Sequence, residues 1–269
     1  MSRLQNTFDN LRLSNKKAFS PFLMSGYPDN DTFLDLLKIC SDVGVDFIEI
    51  GMPFSDPSAD GPIIKIAGTQ ALANGATVKK TMETLEEFRK YDEKTPLVWM
   101  GYFNPIYRYG IENFIKGVKA VGVDALLVSD LPPEEANRLT KSADEHQIDL
   151  IQLVTPVTPK DRIPLILDNA GGFIYFVSIT GITGTKEANE DYIKKHVEYI
   201  QSQTNLPVVV GFGIKNPQKA KQINSFADGA IVGSALVDEI SKFVYEGGNV
   251  NDKSGLLKSA EQFLKSFVE

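Results

Sequence analysis

GVDFIEI, Gly44–Ile50, runs from a helix-closing glycine through an aspartate into an apolar, strand-like stretch. The phrase returns as GVDALLV from Gly122, QIDLIQL from Gln147 and ADGAIVG from Ala227. Each copy sets an aspartate (Asp46, Asp124, Asp149, Asp228) one or two residues ahead of an apolar run, the mark of a reused helix-to-strand turn. Chance likeness among short apolar words is the competing reading. Against it, the phase agrees with strands assigned independently at Phe19–Met24, Phe47–Ile50, Leu97–Met100, Ala125–Ser129, Leu150–Val154, Phe173–Ser178, Pro207–Gly211 and Gly229–Val232.

Between these strands fall amphipathic segments at Asp31–Val43, Thr77–Tyr91, Pro132–Gln147, Asn189–Ser202 and Pro217–Ser225, several opened by Pro or Asp. Strands alternating with helices specify a parallel sheet. Eight such units within 269 residues match a (β/α)8 barrel, and no three-glycine dinucleotide turn argues for a doubly wound sheet. No Ser/Gly linker interrupts the chain, so residues 1–269 are expected to form one barrel domain. Leu4, Phe8 and Leu11 share a helical face ahead of the first strand and predict an extra helix plugging the barrel bottom. Ala235–Tyr245 and Leu256–Phe267 predict further helices after the eighth strand, broken at Gly247 and Gly248.

Composition narrows the function classes. Hydrophobic residues make up 42% and the net charge is −7, without a basic cluster to hold nucleic acid or an anionic membrane. The one cysteine, Cys40, lies at helical spacing in an apolar run and reads as core. No apolar stretch approaches a bilayer-spanning length, and the polar start MSRLQNTFDN lacks a secretory apolar segment, so a reducing, cytoplasmic setting is expected. His146 and His196 sit singly on charged helices and read as solvated surface, which disfavours a metal centre or a Ser-His-Asp triad.

In such a barrel, working residues stand at the C-terminal strand ends and in the loops beyond them. The run from Glu49 to Pro62, EIGMPFSDPSADGP, places one carboxylate at a strand end and Asp60 just before a Gly-Pro pair that can open a helix. Desolvation on its apolar sides would raise the pKa of Glu49 toward the proton-shuttling range. The plainer alternative has Glu49 paired with a lysine and Asp60 capping the helix. Glycine-bearing loops after the last three strands, TGITGT from Thr180, GFGIKNP from Gly211 and GSA from Gly233, could hold a phosphate through backbone amides and a helix N-terminus. Taken singly, each is as readily a turn. Apolar and aromatic side chains at strand ends, Phe22, Met100, Tyr102, Leu127, Leu153, Tyr175 and Phe212, are either packing or the walls of a cavity for a planar aromatic group.

Seven motifs in order, SGYPD from Ser25, EIGMPFSDPSADGP, GYFNPIYRYG from Gly101, SDLPPEE from Ser129, GITGT from Gly181, GFGIKNP and GSALV from Gly233, resemble the α subunit of tryptophan synthase over essentially the whole chain. The resemblance implies cleavage of indole-3-glycerol phosphate to indole and glyceraldehyde 3-phosphate, with indole passed to a pyridoxal-phosphate β subunit in an αββα assembly. It implies Glu49 as acid/base and Asp60 as acceptor of the indole N–H. Phe22, Met100, Leu127 and Phe212 would sandwich the indole, while Tyr175 and Thr183 close the pocket. Gly184, Gly213, Gly233 and Ser234 would receive the phosphate. Asp56, Tyr102, Asn104, Pro105, Asp130 and Pro132 would meet the β subunit. No metal or organic cofactor is implied in this chain. Lys186 stands near the position where many relatives carry Arg, which leaves the closing of that loop the weakest carry-over. A catalytically silent activator of the β subunit is the alternative, opposed by retention of both carboxylates; other phosphate-binding barrel enzymes would need a catalytic Lys, metal ligands or paired Asp elsewhere.

Overall fold

The computed structural model describes residues 2–178, 190–211, 213–245 and 248–268. Its strands are β1 Ala18–Met24, β2 Ile48–Gly51, β3 Leu97–Gly101, β4 Ala125–Val128, β5 Asp149–Val154, β6 Ile174–Val177, β7 Val208–Gly211 and β8 Gly229–Val232. All pairings are parallel and β8 returns to β1, closing the expected barrel. Strands covered on both faces read as continuous apolar runs, and β1, β2, β3, β7 and β8 are buried at every position.

The α-helices among the described residues are α1 Arg3–Leu13, α2 Asn30–Val43, α3 Pro62–Ala73, α4 Val78–Tyr91, α5 Phe103–Tyr109, α6 Ile111–Ala120, α7 Asn137–Glu145, α8 Ile163–Asp168, α9 Glu190–Gln201, α10 Pro217–Asn224, α11 Ser234–Ser241 and α12 Lys253–Val268. Asp29, Thr77 and Asn216 cap α2, α4 and α10 by accepting a backbone N–H three residues on. The expected helix Pro132–Gln147 is two pieces, a 3-10 turn at Pro133–Glu135 and then α7. Pro132 and Pro133 lack the N–H groups that would extend α7 backwards. Helices α5, α6 and α8 went unread, because two are short and the third follows α5 with only Gly110 between them.

Helix α1 plugs the barrel bottom as its apolar face requires. Leu4 is fully buried, and the Phe8 ring lies 6.0 Å from Phe47 and 5.8 Å from Phe173.

The repeated aspartates explain themselves at this end. Asp46 accepts from the Phe19 N–H of β1 at 2.8 Å, Asp124 from the Leu97 N–H of β3 at 2.9 Å, and Asp228 from the Val208 N–H of β7 at 3.0 Å. Each carboxylate thus satisfies the first or second amide of the strand preceding its own, at the point where the ladder begins. Asp149 takes the Ser2 hydroxyl at 3.1 Å instead, tying α1 to β5. Asp124 also receives Arg3 at 2.8 Å and the half-buried Arg89 at 3.5 Å. The repeat is therefore a device for starting strands in register.

Candidate active site

At the opposite end, residues just past the strand ends surround a cavity of about 240 Å³. Parallel pairing sets Phe22 beside Glu49, and Gly51 beside Met100, so alternation brings the Phe22, Glu49 and Met100 side chains to the same interior. Tyr175, Ile231, Gly213, Gly233 and Ser234 line it from β6, β8 and the loops after β7 and β8. The loop after β2 returns over the mouth and delivers Asp60, Gly61, Pro62, Ile63 and Ile64 to the same wall. Both carboxylates predicted to share a pocket therefore do.

Two glycines make the walls fit. A Cβ on Gly51 would collide with the Phe22 ring, and one on Gly211 with the Tyr175 hydroxyl, so each aromatic side chain lies directly against backbone.

Glu49 is 1% exposed, and its Oε1 is buried with no hydrogen-bond donor among the described residues. Among the described residues no lysine pairs with it, which speaks against the plainer reading. Burial, and then the nearby Asp60 charge, pushes its pKa up to about 8, so it holds its proton at neutral pH. Asp60 is raised by burial too, but only to about 6, because the Tyr102 hydroxyl and the Lys65 charge favour its anion. Asp60 is not the cap of α3: Gly61 is, without a side-chain bond, and Pro62 supplies the first turn. Tyr175 is 3% exposed, and the pKa of its hydroxyl is raised by burial and by both carboxylates, so it stays neutral.

The predicted phosphate corner is partly described. Gly213 adopts a left-handed φ of 75°, and Gly233 caps α11, whose first residue is Ser234. Thr183 and Gly184, with the rest of the Gly181 loop, and Phe212, all expected at the site, lie outside the described residues. Sequence reasoning missed Lys215, which brings a cation to this wall, and Ile64 and Ile231, which add apolar surface. Ile231 was recoverable from strand alternation with Gly229 and Gly233. Ile63 and Ile64 were not, because nothing local shows that the first turn of α3 folds back over the mouth.

Leu127 pairs with Met100 but is fully buried in the core and is not among the residues that line the cavity. Tyr102, read from the sequence both as a packing or cavity residue and as part of the β-subunit face, is packed. It is 4% exposed, accepts the Ala59 N–H at 3.1 Å and lies 5.1 Å from the Phe54 ring, which commits it to the Asp60 loop. Asp56, Asn104, Asp130 and Pro132 are exposed on the same face and Pro105 half-buried. Asp130 accepts the Phe103 N–H at 2.7 Å, joining the loop after β4 to the start of α5.

The histidines are half-buried rather than fully solvated. Each Nδ1 meets the carbonyl four residues back, at 2.9 Å for His146 and 2.7 Å for His196, and His196 packs on Tyr192. Cys40 is fully buried, as its spacing implied. Among the described residues no three His, Cys, Asp or Glu converge on a point, and no helix is long and apolar enough to cross a membrane.

The fold and this pocket define a (β/α)8 barrel with two unlike carboxylates set in an apolar cavity at its C-terminal mouth. The family model described as tryptophan synthase alpha chain matches residues 8–267. Similar solved structures include the tryptophan synthase subunit alpha of Legionella pneumophila, 34% identical over 99% of this chain and 97% of that one, with a TM-score of 0.89. A protein of Aquifex aeolicus is 38% identical over 97% and 98%, with a TM-score of 0.85. The aminoacrylate-bound tryptophan synthase of M. tuberculosis is 31% identical over 99% and 98%, with a TM-score of 0.86. This chain belongs to the tryptophan synthase alpha chain family.

Proposed function

We propose that this chain, as a single barrel domain over residues 1–269, cleaves indole-3-glycerol phosphate to indole and glyceraldehyde 3-phosphate in tryptophan biosynthesis. The observation that carries the reading is the pair of carboxyls in one apolar cavity, one protonated and one ionised near pH 7. Protonated Glu49 gives its proton to indole C3, which makes the ring an indoleninium cation. Ionised Asp60 accepts the indole N–H and stabilises that cation. Glu49, now a carboxylate, takes the proton from the hydroxyl adjacent to the scissile bond. That oxygen becomes the aldehyde carbonyl, the carbon–carbon bond breaks, its electron pair returns to the indole ring, and Glu49 regains its starting form.

The apolar walls of Phe22, Met100, Ile64 and Ile231 suit the indole, and the amides around Gly213, Gly233 and Ser234, with Lys215, suit the phosphate. Asp56, Asn104, Pro105, Asp130 and Pro132 offer the face for a β subunit, which would carry pyridoxal phosphate and receive the indole in an αββα assembly in the cytoplasm. The test is indole release from indole-3-glycerol phosphate by the chain alone and with a β subunit added. Slow release that rises sharply on addition is the expected result. No release under either condition would reduce the chain to the silent activator.

A further inference from the structure

Asp60 reaches the cavity on a loop that has little of its own to fix it. From Phe54 to Asp60 the chain forms neither helix nor strand, and its turns close on themselves. The Ser58 N–H meets the Asp56 carbonyl at 2.9 Å, and the Asp60 N–H meets the Pro57 carbonyl at 3.3 Å. Among the described residues one backbone group of this stretch bonds to another part of the chain: the Ala59 N–H, which donates to the Tyr102 hydroxyl oxygen at 3.1 Å. That amide lies one residue ahead of Asp60, so fixing it fixes the point from which the carboxylate leaves the backbone. The Phe54 ring, 5.1 Å from the ring of Tyr102, brings the start of the stretch to the same side chain.

Tyr102 is itself held firmly. It is 4% exposed and follows β3 directly, and both of its neighbours are bonded to the loop after β4. Ser129 gives its N–H at 2.9 Å and its hydroxyl at 3.0 Å to the Gly101 carbonyl, and Asp130 takes the Phe103 N–H at 2.7 Å. Packing against Phe54 needs only the ring, whereas the hydroxyl oxygen supplies the acceptor that the Ala59 amide lacks within its own loop. We propose that Tyr102 is a positioning residue for Asp60: by taking the Ala59 N–H it holds the loop after β2 where the Asp60 carboxylate can meet the indole N–H. The proposal deepens the cleavage reading above and rests on it for the identity of the group that Asp60 meets. A carboxylate that must lie along one N–H direction tolerates little drift of its backbone, which gives the tether its value.

The test uses the full chain and Tyr102→Phe, which keeps the ring and removes the oxygen. Amide hydrogen exchange followed by NMR should show the Ala59 N–H exchanging roughly tenfold faster in the variant, the scale of one lost hydrogen bond. An equal rate in both proteins overturns the proposal. Calorimetry then compares two uncleavable ligands, the propyl phosphate of indole substituted at C3 and its benzothiophene counterpart, which has no N–H. Tyr102→Phe should weaken the indole ligand roughly five- to tenfold and leave the benzothiophene ligand at its parent affinity. An equal loss for both ligands would reduce Tyr102 to a packing residue, and no loss for either would also overturn the proposal. If neither ligand binds the parent chain, the cleavage reading fails, and the exchange rate still decides whether Tyr102 holds the loop.

Discussion

At the bottom of the barrel each repeat aspartate is met by donors, whereas at the top the Oε1 of Glu49 is buried without one among the described residues. Asp124 takes the Leu97 amide, Arg3 and Arg89, and Asp228 takes the Val208 amide, Gln201 and Lys17. Both ends place carboxylates next to an apolar core, so burial alone does not separate them. The difference lies in the supply of N–H groups. Where strands begin, the first amides of a neighbour point at the carboxylate and are satisfied by it. Where strands end, the amides are spent in the ladder, and a side chain at that end must find its own donor or keep its proton. One end is thereby built for register, and the other holds a carboxyl in a costly state that chemistry can use.

The comparison can be broken at four points. Glu49→Gln should keep the fold and lower indole release by on the order of 10² to 10⁴, the range for a positioned acid/base. Turnover near that of the parent chain would show that the donor-starved carboxyl at the top has no chemical role. Asp124→Ala should instead destabilise by about 3 kcal/mol, because it leaves the Leu97 amide unmet and takes the carboxylate away from Arg3 and the half-buried Arg89. Urea unfolding would measure the loss, and turnover per folded molecule should be unchanged. A large fall in turnover at constant stability would erase the division between the ends.

The third point concerns pH. Glu49 titrates near 8 when folded against an ordinary 4.5. Below about pH 4.5 it is neutral in both states and costs nothing. Between 4.5 and 8 the unfolded chain releases the proton while the folded chain retains it, so stability falls as pH rises and levels off above 8. Glutamine does not titrate. The Glu49→Gln chain should therefore match the parent in thermal unfolding at pH 4.5 and exceed it by on the order of 5 kcal/mol at pH 9, where ionised Glu49 is the costly form. A gap that is the same at both pH values would place an unseen donor on Glu49. The smallest effect belongs to Ser2, which caps α1 through the Gln5 N–H and bonds Asp149. Ser2→Ala should cost about 1 kcal/mol in urea, without effect on indole release.

The barrel itself was legible in advance because it repeats. The Asp-plus-apolar phrase, strand alternation and helix caps are local, and each copy reports the same turn. The extra N-terminal helix was legible for a similar reason, since Leu4 and Phe8 mark a face that needs cover. Glu49 and Asp60 could be named from their places at a strand end and before Gly-Pro, but their inequality could not. It depends on how deeply each is buried and on groups, such as Tyr102 and Lys65, that come near Asp60 only in the fold. The break of the expected Pro132–Gln147 helix into two pieces was missed although its cause, the adjacent prolines, stands in the sequence.

What the chain determined by itself was periodicity: eight strands, the helices between them, and the positions of the carboxyls along the backbone. Which amides face which carboxyls, that Leu127 lies in the core rather than on the cavity wall, and that the phenol of Tyr102 takes the Ala59 amide were decided only when the sheet closed. Hydrogen-bond supply is a property of neighbours across the barrel, and residues that share a donor there are distant in sequence.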